Sequence, residues 1–145
     1  MRLLVFCGVQ ASGKSTFWRE QLADTHLRLG LDMLRTRRRE RALMEACLRA
    51  GAPFVSDNTN ITRDARRRYI EAAREFGATA GALFFDIPVA EAQRRNARRA
   101  PEKRVPPAAL RAAFNRLEPP VVGEGFEFVL IVRPSASHRF ALSLA

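Results

Sequence analysis

Cysteine, histidine, lysine and long apolar runs are all scarce in this 145-residue chain. The two cysteines, Cys7 and Cys47, each sit in an apolar run. They are too few for a disulfide framework and read as buried, reduced thiols in a reducing compartment. His26 and His138 have no metal-ligand spacing and read as structural or exposed residues; without a Cys/His cluster, a zinc site is excluded. No uninterrupted apolar stretch approaches about 18 residues, so no membrane partner is expected. The opening Met1–Cys7 has the look of a signal-peptide front. It runs at once into a motif that has to lie inside a fold, and the expected location is cytoplasmic. Internal repeats and low-complexity tracts are absent as well.

What is present describes a soluble globular chain: 47% apolar and 28% charged residues exclude disorder and a collagen-like polymer. The length suits one domain spanning residues 1–145. The net charge of +10 favours polyanionic partners. Only Lys14 and Lys103 are lysines, and so heavy an arginine bias fits genomic base composition as well as it fits nucleic acid.

Apolar runs and breakers alternate along the chain. Residues 3–7 read as a strand buried on both faces, 14–23 as a helix, and 26–31 as a second strand. A long helix is expected from Asp32 to Arg49, burying Leu34, Leu43, Met44, Cys47 and Leu48 and stopped by Gly51. Residues 53–56 read as a strand, and Thr62 as the N-cap of a helix ended by Gly77. A strand over 79–85 and a helix over 89–99 follow. Pro107 then opens a short helix to Leu117, and 126–132 is the last strand expected. The tail from Pro134 carries no clear pattern. Alternating strands and helices imply an α/β fold: about five parallel strands with helices on both faces.

Gly8-Val9-Gln10-Ala11-Ser12-Gly13-Lys14-Ser15-Thr16 fits G-x-x-x-x-G-K-[ST] throughout, directly after a strand and at the head of a helix. Such a loop aims backbone N–H groups at phosphates, and the helix N-terminus adds its positive end. Lys14 then reaches the β- and γ-phosphates, and Ser15 offers its hydroxyl to Mg²⁺. The expected ligand is ATP or another NTP. GTPase patterns are missing, and a chain this small has little room for motor subdomains, which leaves mainly the kinases.

Asp32 and Arg35 lie three apart and would share a helix face, where a carboxylate and a guanidinium can take a hydroxyl proton and hold an anion. Spacing alone favours a capping Asp beside a surface Arg. Asp57 and Asp86 each follow an apolar strand, at the sheet edge where α/β proteins bind ligands, and either can order a metal shell. Arg94, Arg95, Arg98, Arg99, Lys103 and Arg104 crowd residues 94–106, which read equally as a basic lid or as a solvated helix face. Arg37, Arg38, Arg39 and Arg41, with Arg66, Arg67 and Arg68, form two further basic clusters, each either plain surface or part of a track for a phosphodiester backbone. Trp18, Tyr69 and the ten Phe read mostly as core, so specific base reading is not expected.

Over roughly residues 2–117 the chain resembles the kinase domain of the polynucleotide 5′-hydroxyl kinases, phage and bacterial end-healing enzymes within the small P-loop kinases. Four motifs in order carry the likeness: Gly8–Thr16 with Phe17-Trp18; Asp32-Met33-Leu34-Arg35; Val55-Ser56-Asp57-Asn58-Thr59-Asn60; and Phe85-Asp86-Ile87-Pro88 leading to Arg95-Asn96-Ala97-Arg98-Arg99. The resemblance implies Asp32 as general base on the 5′-OH and Arg35 on the neighbouring phosphate. It also implies Arg99, with Arg95, on the nucleotide phosphates, and it raises Asp57 above Asp86 as the acid near Ser15 and Mg²⁺. The partners it implies are 5′-OH ends of DNA or RNA. Gly30-Leu31 stands where such kinases often have Asn-Arg or Arg, and the D-x-D-x-[TV] phosphatase motif is absent. Two other functions fit the residues: a small-molecule hydroxyl kinase, and a non-catalytic NTP-gated nucleic-acid-binding module.

Overall fold

Leu3–Cys7 forms strand β1, buried along its whole length as a strand covered on both faces must be. The structure, a computed structural model, describes residues 3–136 and 139–145, so His138 lies outside the described residues. After β1 come helix α1 (Lys14–Phe17), prolonged by a π-helical turn over Trp18–Leu22, and strand β2 (Leu27–Leu29). Helices α2 (Leu31–Leu34) and α3 (Arg37–Ala50) lead to strand β3 (Phe54–Ser56). The second half runs through α4 (Arg63–Glu75), β4 (Ala80–Phe85), α5 (Val89–Ala97), α6 (Pro107–Arg116), β5 (Val129–Pro134) and β6 (Phe140–Leu144).

The strands build one sheet in the order β2-β3-β1-β4-β5-β6, parallel throughout except for the antiparallel β5–β6 pair. The α/β architecture is therefore the one the alternating pattern implied, with one strand more. β6 comes from the patternless tail. Four of its five residues are exposed, so an apolar alternation had nothing to bury there. Phe140 alone packs inward, edge-on to Phe17 at 5.1 Å between centroids. The strand expected from Phe126 begins only at Val129.

Alternate residues of β1 feed opposite faces. Leu3, Val5 and Cys7 pack with Met44, Leu48, Tyr69 and Ala72 from α3 and α4. Leu4 and Phe6 pack with Phe17, Phe85 and Val132. Cys7 and Cys47 are both free and buried. Burial is the largest influence on the Cys7 thiol and pushes it up to about 12, far from the thiolate a nucleophile would need.

Three sequence expectations are corrected. The long helix over 32–49 is two helices. Arg35 breaks it at φ 73, and Thr36 starts α3 afresh, its hydroxyl accepting from Arg39 N at 3.2 Å. Residues 35–41 contain no apolar anchor, so nothing holds one continuous helix against the sheet. Asp32 and Arg35 consequently do not share a helical face. Leu43 is 43% exposed, whereas Met44, Cys47 and Leu48 are buried. Arg66 is not surface at all: it is 0% exposed and paired with Glu124. The caps drawn from local chemistry, Thr62 with Ala65 N at 3.1 Å and Gly51 at φ 67, are as expected.

Candidate functional site

β1 and β3 end side by side, and their carboxyl ends deliver the phosphate-loop motif and Asp57 to one cleft of about 1100 Å³. Gly8 stays at the base of the loop, its N–H donating to Thr59 O at 2.9 Å. A Cβ on Gly8 would stand 2.9 Å from Ser12 Oγ and 3.0 Å from Phe85 Cβ, so only glycine fits between loop and β4. Gln10, Ala11, Ser12, Gly13, Lys14, Ser15 and Thr16 line the cleft. Gly13, at φ 101, turns the chain into α1.

Lys14 is buried and donates to Gly8 O at 2.8 Å, Val9 O at 2.7 Å and Ser12 Oγ at 3.3 Å. Burial pushes its ammonium down from 10.5 to about 8; Asp57 and Cys7 pull it up, and Arg99 pushes it further down.

Ser15 Oγ donates to Asp57 Oδ2 at 2.9 Å, and the Asp57 side chain is only 2% exposed. Asp86 instead pairs with Arg133 of β5 at 2.9 Å and does not line the cleft. A hydroxyl beside a buried carboxylate is an all-oxygen, hard donor set of the kind Mg²⁺ takes. Mg²⁺ is commonly held through one or two carboxylates plus substrate phosphates. The residues fit the ion.

Sequence reasoning passed over Arg28, on β2. Its Nε donates to Asp57 Oδ2 at 2.5 Å, and its Nη2 donates to Ser15 Oγ at 3.3 Å and to Asp32 Oδ2 at 3.1 Å. Burial would lower the guanidinium, but the hydrogen bonds and charge of Asp57 and Asp32 outweigh it and raise it. The one clue in the sequence was a charge inside the apolar stretch Leu27-Arg28-Leu29.

Asp32, the second residue of α2, is exposed and lines the cleft together with Arg35. That turn is pinned by Asn58, whose Oδ1 accepts from Leu31 N at 2.9 Å. Asn58 Nδ2 in turn donates to Glu40 Oε2 at 2.6 Å. Glu40 is 2% exposed and also holds Arg37 at 2.7 Å; Arg37, its side chain still 44% exposed, lines the cleft. The three polar partners of Glu40, Arg37, Asn58 and Tyr69, make its burial tolerable.

Arg95 and Arg99 both line the cleft. Arg95 is tied to Glu91 at 3.1 Å, whereas Arg99 Nη1 is buried without a hydrogen-bond partner. Arg94, exposed, pairs with Glu91 and is not part of the cleft. The segment after α5 is clipped back by buried Asn96, which bonds both Val105 N and Val105 O, at 3.0 and 2.6 Å.

Residues 3–120 match the family described as AAA domain. The bifunctional polynucleotide phosphatase/kinase of Schizosaccharomyces pombe is 30% identical over 129 residues, which are 86% of this chain and 31% of that protein. The chain thus spans about a third of the length of this relative. Among solved structures, Chaetomium thermophilum Kti12 in complex with ADP-AlF3 aligns with TM-score 0.69 at 16% identity, covering 93% of this chain and 92% of that one. A Janibacter sugar kinase aligns with TM-score 0.66 at 22% identity, over 92% and 85% of the two chains. A Sinorhizobium meliloti gluconokinase gives 0.60 at 20% identity, over 91% and 82%. These likenesses show a P-loop kinase-like α/β fold. No helix among the described residues is long and apolar enough to cross a membrane.

Proposed function

This chain belongs to the AAA-domain family, and from that premise we propose that it is a Mg²⁺-dependent kinase moving the γ-phosphoryl group of ATP or another NTP to the 5′-OH end of DNA or RNA. One observation carries the reading. A single guanidinium nitrogen, Arg28 Nη2, lies between Ser15 Oγ at 3.3 Å and Asp32 Oδ2 at 3.1 Å. The carboxylate assigned to the acceptor therefore faces the phosphate loop across one nitrogen. The named activity of the Schizosaccharomyces pombe relative and the +10 charge support a polynucleotide acceptor.

In this reading Lys14 and Arg99 hold the nucleotide phosphates, and Arg35 holds the phosphate beside the 5′ end. Asp32 takes the proton as the 5′-oxygen bonds to the γ-phosphorus; the bond to the β,γ-bridging oxygen breaks and the nucleoside diphosphate leaves. Ser15 and Asp57 would hold the magnesium ion, which when bound neutralises charge on the phosphates. Residues 94–106 act as a lid that brings Arg99 onto them.

The deciding experiment is transfer of labelled γ-phosphate to 5′-OH DNA, 5′-OH RNA and small alcohols. Label on oligonucleotide ends supports the reading. Label only on a sugar or other small alcohol makes it a small-molecule kinase, and salt-dependent oligonucleotide binding without transfer makes it a binding module. Asp32→Asn is expected to lower transfer by about 10²–10⁴-fold while sparing NTP affinity. Equal loss of both would make Asp32 a structural or metal residue.

A pH dependence follows from Lys14. Burial pushes its ammonium down from the ordinary 10.5 to about 8, while bound phosphates favour the charged form. NTP binding therefore takes up a proton above that pH. Affinity should be flat below about pH 8 and fall by up to about tenfold per unit above it. Calorimetry in buffers of different ionisation enthalpy reads the proton directly. Lys14→Met should bind weakly at every pH and lose the slope; a slope retained in Lys14→Met assigns the proton elsewhere.

A further inference from the structure

Arg28 occupies the ground on which a divalent cation would be bound. Asp57 Oδ2 already accepts from two donors, Ser15 Oγ at 2.9 Å and Arg28 Nε at 2.5 Å. The hydroxyl that a metal would take as ligand itself accepts from Arg28 Nη2 at 3.3 Å. The same nitrogen reaches Asp32 Oδ2 at 3.1 Å. The Arg28 side chain is 21% exposed and the Asp57 side chain 2%, so the Asp57 contact is shielded from water, whereas the 67% exposed Asp32 end is a weak tether. Lys14 also acts on Asp57 through charge, but Arg28 is the cation hydrogen-bonded to it.

We propose that Arg28 is a resident counter-cation that bridges Ser15, Asp57 and Asp32, and that a divalent ion binding there has to displace it. The proposal rests on reading this cleft as a metal–nucleotide site. The two cations exclude one another for two reasons. They need the same lone pairs on Ser15 Oγ and Asp57, and a guanidinium held there repels a doubly charged ion at short range. Displacement has a second effect. Arg28 Nη2 holds Asp32 through the same group, so the ion that removes Arg28 from Asp57 also frees the Asp32 carboxylate for the acceptor hydroxyl. Metal arrival and release of the base become one event.

The test uses the full chain without nucleotide or acceptor, so its outcome is independent of which hydroxyl is phosphorylated. Free Mn²⁺ is titrated and followed by electron paramagnetic resonance. Arg28→Gln is expected to bind Mn²⁺ about tenfold or more tightly than wild type, the scale of a charge repulsion a few ångström away in a partly screened site. Asp57→Asn added to Arg28→Gln should abolish that gain. Unchanged or weaker Mn²⁺ binding by a folded Arg28→Gln overturns the proposal.

A measurement on the unmutated protein covers a variant that fails to fold. The ¹⁵N resonance of the Arg28 Nε–H, protected by Asp57, should shift to a solvent-exposed position as Mg²⁺ is added. A resonance that stays in place while Mg²⁺ saturates the site overturns the proposal as well. If the Mn²⁺ and resonance results hold but no oligonucleotide is labelled in the transfer screen, the acceptor assignment fails and Arg28 keeps its role.

Discussion

Arg99→Ala should lower turnover by on the order of 10³, the low end for an arginine that meets phosphoryl charge in the transition state. Arg99 reaches the cleft with a buried Nη1 that has no hydrogen-bond partner, the situation of a donor kept for a ligand. Arg99→Lys should rescue poorly, because an ammonium cannot reproduce the planar fork. Arg94 is the internal comparison. It is exposed and paired with Glu91, outside the cleft, so Arg94→Ala should change mainly oligonucleotide affinity and its salt slope. Steady-state kinetics of both variants across a salt series separates the two. If both cost the same small factor and about 0.5 M salt mimics them, the segment is a diffuse electrostatic surface, and the lid assignment fails.

Glu124→Ala should destabilise the protein by about 3–5 kcal/mol, because it leaves a fully buried guanidinium without its counter-charge. Arg66 Nη2 and Nε meet Glu124 Oε1 and Oε2 at 2.6 and 2.8 Å, and Arg66 Nη1 donates to Asn60 O at 3.0 Å. Both side chains are essentially without solvent, at 0% and 2% exposed. The damage should reach the site. Asn60 holds Phe6 O at 2.9 Å, and its neighbour Thr59 accepts from Gly8 N, so this pair braces the loop that backs the P-loop. In a chain of this size the loss amounts to a fall in Tm on the order of 10 °C, read by thermal unfolding. The exposed pair Arg67–Asp64 supplies the contrast, with Asp64→Ala expected to cost about 0–1 kcal/mol. A Glu124→Ala shift no larger than that would mean that water reaches Arg66. Replacing Arg66 and Glu124 together by Met and Leu should cost far less than Glu124→Ala, since no charge is then stranded.

The two predictions differ in how much of them the sequence exposed. Arg99 stood among six basic residues in a short segment; the family resemblance singled it out, and in the structure it lines the cleft while Arg94 does not. Arg66 sat in the middle of Arg66-Arg67-Arg68, where nothing local distinguishes an inward guanidinium from an outward one. Its partner is 58 positions away. Separation in sequence also hid Glu40, which depends on Asn58 and Tyr69, 18 and 29 positions away. The Arg35 break was nearer to hand, since Thr36 is a good N-cap and residues 35–41 offer no apolar side chain; the helical pattern on either side concealed it.

The sequence by itself determined whatever depends on neighbours a few residues apart. That covers the phosphate loop between a strand and a helix, the buried β1, the caps at Thr62, Gly51 and Gly77, and the alternation that forces a parallel α/β sheet. Tertiary structure alone decided which arginines are core, cleft or surface, and that the tail adds a sixth strand at the sheet edge. The residues by themselves left Asp57 and Asp86 level until the resemblance favoured Asp57 and the fold put it on Ser15. Those outcomes turn on electrostatics and burial between segments brought together by folding. Charge has no periodicity to announce it: a buried arginine and a solvated one are spelled alike until a carboxylate from elsewhere in the chain is placed beside one of them.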